Sequence, residues 1–426
     1  MSTDLREAMR EAVTDAPAYA VDADAVIEAG ARRIRRRNRI VVGASALAVA
    51  AVAVTAAVTT DPQRSEREPE PADVVRLDLD EAVGLRPEIV ASTRTTWRDA
   101  GRNSLEYDRY VGITADGLVL HSRNTNDHGF PELGLLDPRT GETDWLPDSP
   151  APMYEIVPLD LTSDRLLLFQ AEGNGHALSV FDRATRTWRR NVVRLPYGIE
   201  VHVQPRAILG PDDRVYVGST MEGESGPIHW WSAAAPGGGN ARPEPALEGT
   251  TVAWGDGIRV SADPSGRVVV SGPAGHRVVS GSRPDGCERP EEFPDAPVTV
   301  VVAGSRPVVT YSCESGTDDL GLSHTVVYEQ EGQQQLDIAG ASVLTADDRH
   351  LALAGSGSLD AVAGAEHPGT SSTYLLDLDS RAISRVGQGP HEVQVALSAG
   401  LFLWNIPGPI DDNDVYDVVW NVARLQ

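Results

Sequence analysis

The 426-residue chain contains no lysine; all 37 of its basic residues are arginine. That excludes chemistry built on an amine side chain: Schiff bases, a P-loop lysine, a kinase-type lysine. Two cysteines, Cys287 and Cys313, are too few for a disulfide scaffold or a four-thiolate zinc site. Positive charge is also scarce. Against 62 acidic residues the net charge is −25, which argues against a nucleic-acid partner, because phosphate contact needs a basic face. The ten histidines are scattered singly, with no HxH and no HExxH. There is no GxSxG elbow and no GxGxxG turn between a strand and a helix. The sequence therefore assigns no catalytic, cofactor-binding or metal-binding residue. What it has in plenty is Ala, Gly and Val, the composition of high-GC bacterial coding, with 41% hydrophobic residues to build a core.

Residues 40–58, IVVGASALAVAAVAVTAAV, hold no charged side chain. A helix of that length rises about 28 Å, close to the ~30 Å hydrocarbon core. Arg32, Arg33, Arg35, Arg36, Arg37 and Arg39 stand just before it. By the positive-inside rule this collar keeps residues 1–39 in the cytoplasm and sends the C-terminal part outside. A cleaved signal peptide competes with this reading, since Ala51-Val52-Ala53 resembles a cleavage site. The long leader and long apolar run favour an uncleaved signal anchor over residues 40–60. Residues 1–39 carry a net charge of +1, and residues 61–426, with 55 acidic and 29 basic groups, carry −26. The expected location is a single-pass protein of the cell membrane, touching the bilayer through one helix. Its exported part favours cationic partners.

Within the tail, Leu5, Ala8, Met9, Ala12 and Val13 fall at helical spacing, so residues 1–39 read as a short amphipathic helical domain. It either docks a cytoplasmic partner or lies on lipid headgroups. This layout resembles the single-pass regulators of extracytoplasmic-function sigma factors, although the zinc-binding His and Cys pattern of many of them is absent. Residues 61–73, rich in Pro and Glu, read as a solvated linker.

From residue 74 onward short apolar runs alternate with Gly, Pro and Asp turns, and one turn-plus-strand unit recurs. Its copies are TADGLVLHS (114–122), TSDRLLLFQ (162–170), GPDDRVYVGS (210–219), DPSGRVVVSG (263–272), VVAGSRPVVTYS (301–312), TADDRHLALAG (345–355) and LSAGLFLWN (397–405). Their spacing, roughly 40 to 52 residues, is the blade period of a β-propeller. A second unit repeats out of phase: LGLLDPRTGETDW (133–145), LSVFDRATRTW (178–188) and TYLLDLDSRAI (373–383). In each, an apolar strand ends at an aspartate, Asp137, Asp182 or Asp377, placed to accept backbone N–H groups across a turn.

The hairpin carrying Asp137, Thr140, Gly141 and Trp145 resembles those of WD-repeat-like and kelch-like propellers, without a Gly-His and Trp-Asp pair in each blade. The whole resembles a membrane-anchored propeller of high-GC bacteria. The resemblance implies an all-β ectodomain of about seven blades over residues 74–426, behind one transmembrane helix and a helical tail. The last strand, DVVWNVARLQ, is expected to share a sheet with residues 74–80 and close the ring. Cys287 and Cys313 are expected to pair outside the cell, tying the end of one blade to the second strand of the next. Gly237-Gly238-Gly239 reads as a flexible connection, Asp411-Asp412-Asn413-Asp414 as a solvated turn, and Trp230-Trp231 as core.

The function these features lead to is a membrane-tethered, non-catalytic module that binds an unidentified ligand or protein outside the cell. One alternative is a regulator that holds a sigma factor through residues 1–39. Another is a propeller hydrolase or lyase with an axial site. Convergent carboxylate, His and Arg side chains at the channel would mark the enzyme.

Overall fold

Short apolar runs broken by Gly and Asp turns cannot sustain helices, and in the computed structural model they form thirty strands. The residues described are 75–84, 87–98, 107–124, 131–148, 156–172, 175–195, 206–219, 227–235, 237–273, 275–284, 287–288, 298–313, 322–329, 334–355, 371–389, 394–408 and 415–425. The chain divides into two units, residues 1–68 and 69–426, and the described residues all belong to the second. The tail, the span, the linker, the arginine collar from Arg32 to Arg39 and the run 411–414 lie outside the described residues. No helix among the described residues is long and apolar enough to cross a membrane.

Three strands come first: β1 (Val75–Leu77), β2 (Val83–Gly84) and β3 (Glu88–Arg98). Antiparallel meanders of four follow. They are β4 (Tyr107–Ile113), β5 (Val119–Asn124), β6 (Glu132–Asp137) and β7 (Glu142–Trp145); then β8 (Ile156–Leu161), β9 (Arg165–Glu172), β10 (Gly175–Asp182) and β11 (Thr187–Arg194). Next come β12 (Arg206–Leu209), β13 (Arg214–Ser219), β14 (His229–Ala234) and β15 (Gly238–Pro243); then β16 (Thr251–Gly255), β17 (Ile258–Ala262), β18 (Val268–Gly272) and β19 (Gly275–Ser280). After them stand β20 (Thr299–Ala303), β21 (Arg306–Cys313), β22 (Leu322–Tyr328) and β23 (Gln334–Ala339); then β24 (Ala341–Ala346), β25 (His350–Gly355), β26 (Ser371–Asp377) and β27 (Ile383–Gly389). The chain ends with β28 (Val395–Ser398), β29 (Leu401–Pro407) and β30 (Val415–Arg424). The first strand of each meander touches the first strand of the next, and β28 touches β4. The meanders therefore close into a ring, a β-propeller whose blades present their faces to each other.

This packing explains the repeat. A second strand is sandwiched between neighbouring blades and must be apolar on both faces. Leu166, Leu167, Leu168 and Phe169 of β9 are accordingly all buried, as are Leu351, Ala352 and Leu353 of β25. Six of the seven copies fall on second strands. The copy at 263–272 is displaced: it leads into β18, the third strand of its blade, because the tighter Gly255-Asp256-Gly257 turn has already opened β17.

An antiparallel meander returns to the same end every second connection. The first-to-second and third-to-fourth hairpins therefore share one face of the ring, here called the turn face. The remaining connections emerge on the opposite, loop face. On the turn face, Arg–Asp pairs stitch blade to blade: Arg183 holds Asp116 through two 2.9 Å bonds, and Arg165 reaches Asp213 at 3.1 Å.

Ring closure departs from expectation. Residues 75–77 do not meet the C-terminal strand; β1 adds in parallel to the outer edge of β23, and β2 does the same to β27. The closing strand is β3, antiparallel to β30 over ten registered pairs. Residues 75–84 form a strap over two blade edges, pinned by Leu79, whose side chain is buried among Ile338, Ala341, Val343 and Leu353. The physical reason is length: β1 offers three residues, too few to edge a ten-residue strand, whereas β3 offers eleven. The Gly237–Gly239 run is likewise no free connection. It leads into β15, which pairs in parallel with β11 of the preceding blade. A Cβ on Gly238 would lie 2.7 Å from Asn191 Cβ, so glycine permits that approach.

Candidate functional site

A polar cluster lies toward the loop face of the β4–β7 blade. Register builds it. Asp108 of β4 stands opposite Arg123 of β5, which stands opposite Glu132 of β6. One row deeper, Tyr110, His121, Gly134 and Trp145 align across the four strands. Directly paired residues share a face, so these side chains converge on one side of the blade. Gly134 makes the arrangement possible, because a Cβ there would come within 2.9 Å of the Trp145 ring and closer still to Thr143.

His121 Nε2 and Asp108 Oδ1 are 2.5 Å apart, and His121 Nδ1 lies 3.4 Å from the Thr143 hydroxyl. The His121 side chain is 11% exposed and that of Asp108 is 41% exposed. Burial works against charge on Asp108. The hydrogen bond and charge of His121, with Thr93 and Arg123, outweigh it and hold the carboxyl below its usual range. In the tautomer that donates Nε2–H to the Asp108 carboxylate, Nδ1 is the ring nitrogen that faces the Thr143 hydroxyl. Tyr110 stacks edge-on against His121, with its hydroxyl pushed up to about 12 by burial and by the Asp108 charge, so it stays neutral. The Arg123 guanidinium lies 3.6 Å above the Trp145 ring, and its Nε donates to Glu132 at 2.7 Å. The closing strand takes part as well. Thr95 of β3 is buried; its Oγ1 accepts from the Asp108 N–H at 2.9 Å and donates to the Asp108 carbonyl.

Hydroxyl, imidazole and carboxylate in that order form an array that can move a proton or activate an oxygen nucleophile. Two further His–Asp pairs lack this setting. His324 and Asp337 lie 2.9 Å apart but off the hydrogen-bond line, and Arg76 of the strap sits 3.9 Å from Asp337. His350 and Asp347, 3.2 Å apart, belong to one hairpin on the turn face. No group of three or more His, Cys, Asp or Glu able to hold a metal occurs among the described residues.

The residues singled out in the sequence lie elsewhere. Asp137 Oδ1 accepts from the Arg139 N–H at 2.8 Å, Asp182 Oδ1 from Thr185 at 2.9 Å, and Asp377 Oδ1 from Asp379 and Ser380, both at 2.9 Å. They are turn-formers in three different blades and do not meet. Cys287 and Cys313 form a disulfide with Cα atoms 4.8 Å apart, joining the segment after β19 to the end of β21. Trp230 and Trp231 are both buried, and the Trp230 indole donates to the Thr250 carbonyl at 2.7 Å. Sequence reasoning missed Asp108, His121, Arg123 and Glu132. One signal was there: in TADGLVLHS a histidine follows directly on the apolar Leu118-Val119-Leu120 run that enters a second strand.

No protein-family model matches the chain, and no curated protein is similar to it in sequence. Solved structures with a similar fold include an oligogalacturonate lyase from Vibrio parahaemolyticus, 10% identical with a TM-score of 0.47, covering 79% of this chain and 98% of that one. An acylaminoacyl peptidase from Pyrococcus horikoshii is 9% identical with a TM-score of 0.47, over 78% of this chain and 54% of that one. The β-propeller domain of the Trilobed protease from Pyrococcus furiosus is 9% identical with a TM-score of 0.34, over 75% and 84% of the two chains. At these levels the likeness describes a fold. The expectation of a non-catalytic module is nonetheless corrected. A carboxylate, a His and an Arg, the convergence that the enzyme alternative calls for, meet in the β4–β7 blade.

Proposed function

We propose that this protein is a hydrolase or lyase working by acid–base chemistry at the loop-face mouth of a seven-bladed propeller. His121 transfers the proton, Asp108 orients and stabilises its charged form, and Thr143 is the hydroxyl within reach of Nδ1. Arg123, laid over Trp145, supplies the nearby cation. The observation that carries this reading is the Thr143–His121–Asp108 alignment, with the carboxylate open to solvent and the imidazole shielded. The arginine collar and apolar run support placing the propeller outside the cell on a single membrane anchor.

The test is a survey of the full-length protein against polyuronides, followed by the ultraviolet absorbance of unsaturated products, and against chromogenic peptides and esters. For any activity found, His121→Gln and Asp108→Asn should each lower kcat at least a hundredfold, the scale of positioned proton transfer. Thr143→Val should abolish activity if the hydroxyl is the nucleophile. Turnover that survives His121→Gln would end this assignment. Reporter fusions at residue 20 should be cytoplasmic and at residue 75 external.

A further inference from the structure

A second site, which shares only Thr143 with the His121 array, lies on the turn face between the β4–β7 and β8–β11 blades. There a cleft of about 430 Å³ opens between the third-to-fourth hairpin of one blade and that of the next. Its floor is apolar: Leu118, Leu135, Leu146 and Phe181. Asp137, Glu142, Asp144, Arg183 and Arg186 stand in its wall.

Two observations separate this cleft from a packing fault. First, ion pairs that cross the blade interface bracket it. Arg183 grips both Asp116 oxygens at 2.9 Å and the Thr162 carbonyl at 2.8 Å, while Arg186 grips Asp144 at 2.6 and 3.1 Å and the Trp145 carbonyl at 3.2 Å. Bidentate guanidinium–carboxylate pairs are directional, so they hold the two walls at a set spacing and keep the cleft preformed. Second, these pairs use up the positive charge. Asp116 takes Arg183, Asp144 takes Arg186, and Asp137 takes Arg139 at 2.9 Å. Glu142 is a fourth carboxylate, beyond those three pairs, and leaves the wall with one excess negative charge beside an apolar floor. The volume falls in the range of small-molecule sites.

From this geometry we infer that the cleft binds a small monocationic amine with an apolar body. The apolar part lies on Leu135 and Phe181, and the ammonium faces Glu142. The acidic exported part, with a net charge of −26 over residues 61–426, draws such cations in and repels carboxylates of the same size.

The probes are phenethylamine, phenylethanol and phenylacetate, which share a ring and differ in charge, titrated calorimetrically into full-length protein. Phenethylamine should bind saturably at one site per chain, at least tenfold more tightly than phenylethanol, and phenylacetate should not bind. Glu142→Gln should remove the amine's advantage while leaving phenylethanol unchanged, and Leu118→Trp should block both by filling the opening. His121→Gln should leave phenethylamine binding intact, which separates this site from the proposed catalytic one. Absence of saturable phenethylamine binding, equal binding of amine and carboxylate, or an unaltered amine preference in Glu142→Gln would each overturn the inference.

Discussion

The strap over residues 75–84 rests on one contact that a double-mutant cycle can isolate. Leu79 is 5% exposed and packs into a hole where two glycines remove side chains. A Cβ on Gly355 would lie 2.5 Å from Leu79 Cδ1, and 3.1 Å from both the Gly340 carbonyl oxygen and the Tyr374 ring. Leu79→Ala deletes buried methyl groups and leaves a cavity, a loss of about 2–5 kcal/mol. Gly355→Ala forces Leu79 out of its hole, an overpacking cost of about 1–3 kcal/mol. In the double mutant the new methyl enters space that Leu79 has vacated, so the worst clash disappears and part of the cavity fills. The two effects should therefore fall short of additivity by about 1 kcal/mol or more, the scale expected for residues in contact. Urea denaturation of the wild type, both single mutants and the double mutant measures this. Independent sites add to within about 0.5 kcal/mol. Additivity of that quality would mean that Leu79 is not seated against Gly355, and the described path of the strap would be wrong.

Three further outcomes follow from the same geometry. Removing residues 1–86 should leave a cooperatively folding ring of lower melting temperature, because β3 survives. Removing residues 1–98 takes away the ten-pair ladder with β30 and the Thr95 clamp on Asp108, and should prevent cooperative folding, since a whole domain's margin is only about 5–15 kcal/mol; equal melting temperatures would contradict closure by β3. Replacing both Cys287 and Cys313 by Ser should lower stability by about 3.5 kcal/mol in the chain-entropy account of a loop with sequence separation 26, read by denaturant midpoint against the oxidised wild type. His176 is buried against Phe169, and burial holds its pKa below the usual value. The unfolded chain then binds the proton that the folded chain refuses, so stability should be full above about pH 6.5 and fall as pH drops toward the folded-state pKa; His176→Phe should flatten that slope.

Much of the architecture is local and so was readable along the chain. A strand squeezed between blades must be apolar on both faces, and a tight hairpin needs Gly or Asp. LLLFQ, LALAG and the Asp137, Asp182 and Asp377 turns therefore announce themselves by residue type at a fixed period. The Cys287–Cys313 pair was legible because there was no other partner to choose. Three features depended on distances that no local pattern encodes. The choice of β3 over β1 to close the ring turned on which N-terminal segment could match the full length of β30, and alternation alone favoured the wrong one. The placement of 263–272 on a third strand turned on two neighbouring turn signals, of which the tertiary pairing used both. The His121 site was the least legible. Asp108, His121, Arg123, Glu132, Thr143 and Trp145 are spread over 38 residues of sequence and four strands, and they meet only because register aligns their rows while Gly134 clears the space between them. Residue type and period determine how a strand packs. Which polar side chains face one another is decided by cross-strand register, and register exists only once the sheet has formed.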